Sequence, residues 1–147
     1  MQRILKYWFP VLLWMVFIFW MSTDSFSSEN TSSIIKPILQ FLLPGISPAA
    51  LDMIHAIIRK CAHITEYFIL GLLLFRAFQG KAKENKPWQW AGLSLMAIIL
   101  YAAGDEFHQS FTSTRSASLV DVGLDTMGGL LAQLSCITWH SFKKKRS

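Results

Sequence analysis

The chain has 147 residues, 52% of them hydrophobic and only 16% charged, with 14 Lys and Arg against 9 Asp and Glu. That length gives room for a single domain, 1–147, and so low a charged share argues against an ordinary soluble fold, where roughly 25% is typical. The net charge of +5 lies in short runs between apolar stretches, a pattern of topology signals and not of a nucleic-acid-binding face.

Four apolar segments follow one another along the chain. The first, "LKYWFPVLLWMVFIFWMS", runs from about Leu5 to Ser22. Its basic start resembles a signal peptide, but the run is long and rich in Trp and Phe. The "STDSFSS" after it has no small-residue cleavage site, so an uncleaved span is expected. A Ser-rich loop follows, and then "IIKPILQFLLPG", whose apolar run is too short to span; an interfacial or re-entrant helix is predicted there. The second long segment covers about Met53 to Phe78, the third Pro87 to about Gln109, and the fourth about Leu119 to Phe142. Each long segment reaches the roughly 20 residues that a helix needs to cross a hydrocarbon core. The expected fold class is all-α: a polytopic membrane protein with four transmembrane helices.

Orientation follows from Lys and Arg. Arg3 and Lys6 precede the first segment, Arg76, Lys81, Lys83 and Lys86 lie between the second and third, and Lys143 to Arg146 close the chain. With four spans these regions share one side, the cytoplasm, and both termini are cytoplasmic. Cys61 and Cys136 then lie at depths differing by roughly 15 Å or more, too far apart for a disulfide.

The polar residues inside the spans converge on the opposite side. Arg59, Lys60, His63, Glu66 and Tyr67 occupy the outer half of the second segment. "GDEFHQ" brings Asp105, Glu106, His108 and Gln109 to the outer end of the third. Arg115 sits in the loop after it, and Asp121 and Asp125 begin the fourth. Helical spacing puts His63, Glu66 and Tyr67 on one face, and Asp121 and Asp125 on another with Gly128, Gly129 and Ala132 below them. A charged side chain at the centre of a membrane helix costs about 2.5–3.5 kcal/mol. These groups are therefore expected to face one another or water, although Arg59 and Lys60 also suit snorkelling interface anchors. Arg59, Lys60 and Arg115 against five carboxylates leave a sum of −2 with neutral histidines. A protonated acid, a charged histidine or a bound cation is expected to absorb it.

"RKCAHITEYFILGLLL", "GDEFHQSF", an arginine and "DVGLDTMGGLLA" together resemble the VanZ-like family of small bacterial membrane proteins. The residues carrying the resemblance are Lys60, His63, Glu66, Tyr67, Gly71, Asp105, Glu106, Gln109, Arg115, Asp121, Asp125 and Gly129. One departure lies just before Arg115, where many members carry a Pro-Gly pair and this chain has "TST". The resemblance implies a multi-pass protein of the bacterial cytoplasmic membrane. It also implies an association with envelope biology, since the family's namesake is linked to low-level resistance to the glycopeptide teicoplanin.

Three site chemistries fit the cluster. As an enzyme, His63, Glu66, Asp105 and Glu106 supply acid–base groups. Lys60, Tyr67, Gln109, Arg115, Asp121 and Asp125 then bind a lipid-linked or anionic envelope ligand. As a transporter or binding protein, the same groups pass protons or hold a polar ligand. As a metal site, His63-x-x-Glu66 and Glu106-x-His108 offer ligands, but neither spacing is a strong signature and no metal or other cofactor is assigned. The expected partner is the lipid bilayer, and nucleic acid is not one.

Overall fold

The computed structural model describes residues 2–23, 26–80, 86–111 and 118–146. They form five helices and, among the described residues, no strand: α1 (Gln2–Met21), α2 (Ser28–Leu42), α3 (Pro48–Gln79), α4 (Pro87–Gln109) and α5 (Leu119–Arg146). The helix boundaries have local causes. Ser27 caps α2 by accepting from the Asn30 N–H at 3.3 Å, and Ser47 caps α3 by accepting from Ala50 at the same distance. Pro48 and Pro87 stand in the first turns of α3 and α4, where a missing N–H costs nothing. Gly80, at φ 47°, closes α3 in a left-handed conformation that a side chain disfavours.

α3 is 32 residues long, beginning five residues before the predicted Met53 because the Ser47-Pro48 start nucleates the helix earlier. It is the one helix among the described residues that is both long and apolar enough to cross a membrane. The apolar part of α1, Leu5–Met21, is shorter. α4 and α5 have the length, at 23 and 28 residues, but polar residues at their ends dilute their apolar character.

Helix directions follow from the side-chain contacts. Trp8 meets Phe78, and the Trp14 indole donates to the Glu66 carbonyl at 2.9 Å, so α1 runs against α3. Tyr67 meets Tyr101 and Phe75 meets Trp90, so α4 also runs against α3. α5 runs with α3 in a held register: His63 bonds Asp125, Gln133 donates to the Gly71 carbonyl, and Gln79 bonds His140, at sequence separations of 62, 62 and 61. α1, α3, α4 and α5 thus form an up-and-down bundle, with α2 lying across one end against α3.

Glycine permits the closeness of α3 to its neighbours. A Cβ on Gly128 would run into the Ile64 carbonyl oxygen, and one on Gly71 would stand 2.7 Å from the Ala132 Cβ. The core around this crossing joins Val11 and Ile18 from α1, Tyr67, Leu70 and Leu74 from α3, and Ile98 and Ala102 from α4. Outside it, large apolar side chains face away from the protein on every helix: Leu5, Ile34, Met53, Leu100 and Leu119 are all more than half exposed.

Candidate functional site

The end of the bundle nearest α2 gathers the polar side chains. α3 contributes Arg59, Lys60, His63 and Glu66 in successive turns, α4 ends in Asp105, Glu106 and Gln109, and α5 starts with Asp121 and Asp125. His63 is half-buried, and its Nδ1 donates to Oδ1 of Asp125 at 3.1 Å. Asp125 is only 1% exposed, and its Oδ2 has no hydrogen-bond partner among the described residues. One turn below His63 on the same face, the Tyr67 ring is completely buried, its hydroxyl likewise without a partner among the described residues.

The two adjacent acids of α4 turn to different neighbours, as their angular separation on a helix requires. Asp105 Oδ2 accepts from the Ser22 hydroxyl at 3.0 Å and from Gln109 Nε2 at 2.9 Å, tying the end of α1 to the end of α4. Glu106 Oε2 accepts from the Ser118 backbone N–H at 2.7 Å, just before α5. Both carboxylates are buried. Neutral donors from several elements therefore meet the acids. Glu66 is half-buried on α3, and Asp121 is half-buried in the first turn of α5.

Two of the cavities at this end share Arg59 and His63. The larger, of about 500 Å³, lies between α2, α3 and the start of α5, with Lys36, Asp52, Lys60 and Asp121 on its wall. The smaller, of about 170 Å³, is mainly apolar, walled by Ile18, Met21, Ile35 and Ile58, and has Glu66 and Asp105 at its polar edge. The predicted site residues His63, Glu66, Tyr67, Asp105, Glu106, Gln109, Asp121 and Asp125 are thus drawn to one end of the bundle, while Lys60 is exposed at the rim. Arg115 lies outside the described residues. Among the described residues no group of three or more His, Cys, Asp or Glu is arranged to hold a metal ion.

Two participants, Ser22 and α2, are absent from the site expected from the sequence. Ser22 was read as the end of an apolar segment, and nothing in its local sequence signals a partner 83 residues away. Arg59, expected in the polar cluster or as a snorkelling anchor, is half-buried between the cavities, with Nη1 unpartnered among the described residues. α2 supplies Lys36, paired with Asp52, and Thr31, bonded to His55 at 3.1 Å, so it forms a wall of both cavities. Its polar stripe (Ser28, Ser32, Lys36) at four-residue spacing was the available signal.

Residues 7–140 match the model of the family described as VanZ/LLP1. No curated protein and no solved structure matches the chain.

Proposed function

We propose, on the premise that this chain belongs to the VanZ/LLP1 family, that it spans the bacterial cytoplasmic membrane four times and acts on the cell envelope through an outward-facing acid–base site. α1, α3, α4 and α5 are the spans, α2 lies along the outer interface, and both termini are cytoplasmic. Three observations support this topology. The helix directions alternate as successive crossings require. The end opposite the polar cluster gathers Lys6, Arg76, Lys86 and the Lys143–Arg146 run, the cationic signature of a cytoplasmic face. α2 has no buried residue, and Ile34, Ile38, Phe41 and Leu42 are 53–84% exposed, as suits a helix resting on lipid.

The observation carrying the activity is the His63–Asp125 pair in the shared wall of the two cavities. A buried carboxylate that accepts from Nδ1 fixes the imidazole's orientation and leaves Nε2 as the working nitrogen, able to take a proton and return it. A polar chamber beside an apolar one suits a substrate with both characters, a lipid-linked or envelope component, with Arg59 and Lys60 available to an anionic group. Glu66 and Asp105 at the edge of the smaller cavity are the further acid–base candidates. The alternative, passage of protons or a small ligand through the protein, has less support. At and below the level of Tyr67 the helices close on one another, Gly129 against the fully buried Ile98 and Gly71 against Ala132.

Two measurements test this reading. In a background lacking Cys61 and Cys136, a cysteine at Ser28 should react with an impermeant thiol reagent in intact cells, and one at Lys145 should not. The reverse pattern would overturn the topology. Expression in a glycopeptide-sensitive bacterium should raise the teicoplanin concentration that stops growth, and His63→Gln should abolish the rise at unchanged membrane level. Correctly inserted protein with no effect on growth would remove the antibiotic-response part of the proposal.

A further inference from the structure

The other end of the α3–α5 pair carries a second, differently built groove. α3 supplies Leu72, Phe75, Arg76 and Gln79 at i, i+3, i+4 and i+7, a single helix face. α5 supplies Cys136, Trp139, His140 and Lys143 at the same four offsets. Because the helices run in the same direction in register, the two stripes lie side by side and enclose about 350 Å³. Their chemistry is graded along the axis. Leu72 and Cys136 stand at the end nearer the centre of the bundle, the aromatic rings follow, and Arg76, Gln79, His140 and Lys143 stand at the terminus. Phe75, Trp90 and His140 pack in a ring triangle with centroids 5.8–6.0 Å apart, giving the groove a rigid floor. Gln79 Nε2 donates to His140 Nε2 at 2.8 Å and ties the two stripes together at the polar end. Among the described residues no lining side chain is acidic.

We infer that this groove binds an anionic phospholipid of the inner leaflet. Its phosphate would lie between Arg76 and Lys143, and the start of an acyl chain would run toward Leu72. Three features select that occupant. Among the described residues the lining has two cations and no carboxylate, opposite in balance to the acid-rich cluster at the other end. The apolar-to-cationic gradient has the direction that a lipid has in the leaflet. The level of Gln79 also lies about 24 Å along α3 from the level of His63, at 1.5 Å per residue, so the two sites sit near opposite faces of a hydrocarbon core. The Arg76 guanidinium carbon stands 5.7 Å from the Tyr7 ring centroid, which positions the head against α1 while the residue remains exposed. Trp139 and Phe142, 74% and 67% exposed, flank the groove as interfacial aromatic anchors. The inference rests on the four-span topology and is independent of any chemistry at His63.

The test uses the full-length protein in detergent, offered equal amounts of phosphatidylglycerol and phosphatidylcholine with identical chains, with retained lipid counted by native mass spectrometry. The protein should keep phosphatidylglycerol in clear preference. Arg76→Gln with Lys143→Gln should weaken that retention roughly 25-fold, about fivefold for each charge. Lys144→Gln with Lys145→Gln removes the same charge outside the groove and should change little. Equal retention of the two lipids by the unaltered protein would overturn the inference, whatever the variants do. Equal losses in the two double variants would replace the groove with a diffuse basic surface. Displacement of the lipid by millimolar inorganic phosphate would reduce it to a phosphate site. The cysteine-labelling result stands apart, since a reversed topology would move the groove to the outer leaflet without altering lipid retention in detergent.

Discussion

Asp125→Asn separates a working dyad from a merely structural one. The substitution keeps the side-chain volume and one acceptor oxygen for His63 Nδ1, now 3.1 Å from Oδ1, but turns a charge-assisted bond into a neutral one. Charge-assisted bonds contribute about 1.5–3 kcal/mol and neutral ones about 0.5–1.5, so the exchange costs about 1 kcal/mol. Oδ2, which has no partner among the described residues, becomes an NH₂ at a position 1% exposed, and an unmet donor there adds about 1–3 kcal/mol. The total, about 2–4 kcal/mol, lowers stability while leaving most of the protein inserted. Losing the orienting carboxylate should cost far more function, about 10²–10⁴-fold, the range for a positioned acid–base group.

The assay pairs growth inhibition, normalised to membrane level, with unfolding of the purified protein by heat or by a denaturing detergent. His63→Gln should match the functional loss. The double variant should be no worse than either single one, because residues acting as a unit are not additive. In stability the same cycle should give a coupling near the upper end of values found between membrane helices, up to about 1.7 kcal/mol. Function falling only in proportion to protein level, or two functional losses that multiply in the double variant, would refute the dyad.

Glu66→Gln and Asp105→Asn keep shape and lose charge, so each should abolish the phenotype with membrane levels within a few-fold of the unaltered chain; immunoblots of membrane fractions beside growth assays decide it, and loss of the protein in both would favour a structural role. Gly128→Val should destabilise by about 1–3 kcal/mol, because its Cβ meets the backbone carbonyl of Ile64 and only helix separation relieves it. Gly92→Ala, on α4 with nothing within 4 Å of the new carbon, should be neutral or slightly stabilising in the same melt.

What the sequence made legible was the order of the helices and the convergence of unusual side chains. Apolar run length gave the four long helices, and charge placement predicted which ends meet. The i, i+3, i+4 spacing put His63, Glu66 and Tyr67 on one face before any contact was known. Pairing was not legible. Helical periodicity states which residues share a face but not which neighbour that face meets, so His63 with Asp125 and Asp105 with Ser22 needed the fold. α2 was read by the length of its apolar run alone. Its second face, the Ser28, Ser32 and Lys36 stripe, went unused as a cavity wall because a short amphipathic helix looks the same with or without something beneath it.

The register of α3 against α5 links the two ends of the bundle. Three bridges at nearly constant sequence separation, His63–Asp125, Gly71–Gln133 and Gln79–His140, join the helices at the polar end, at mid-length and at the opposite end of the bundle. Close packing accompanies the first two: a Cβ on Gly128 would run into the carbonyl of Ile64, next to His63, and one on Gly71 would stand 2.7 Å from the Ala132 Cβ. A close-packed crossing places the His63–Asp125 pair and the groove at the other end on the same two helices. The proposed chemistry at His63 would therefore depend on glycines that lie outside the polar cluster. Gly128→Val should displace His63 from Asp125 as well as lower stability, and its functional loss should exceed what its membrane level explains.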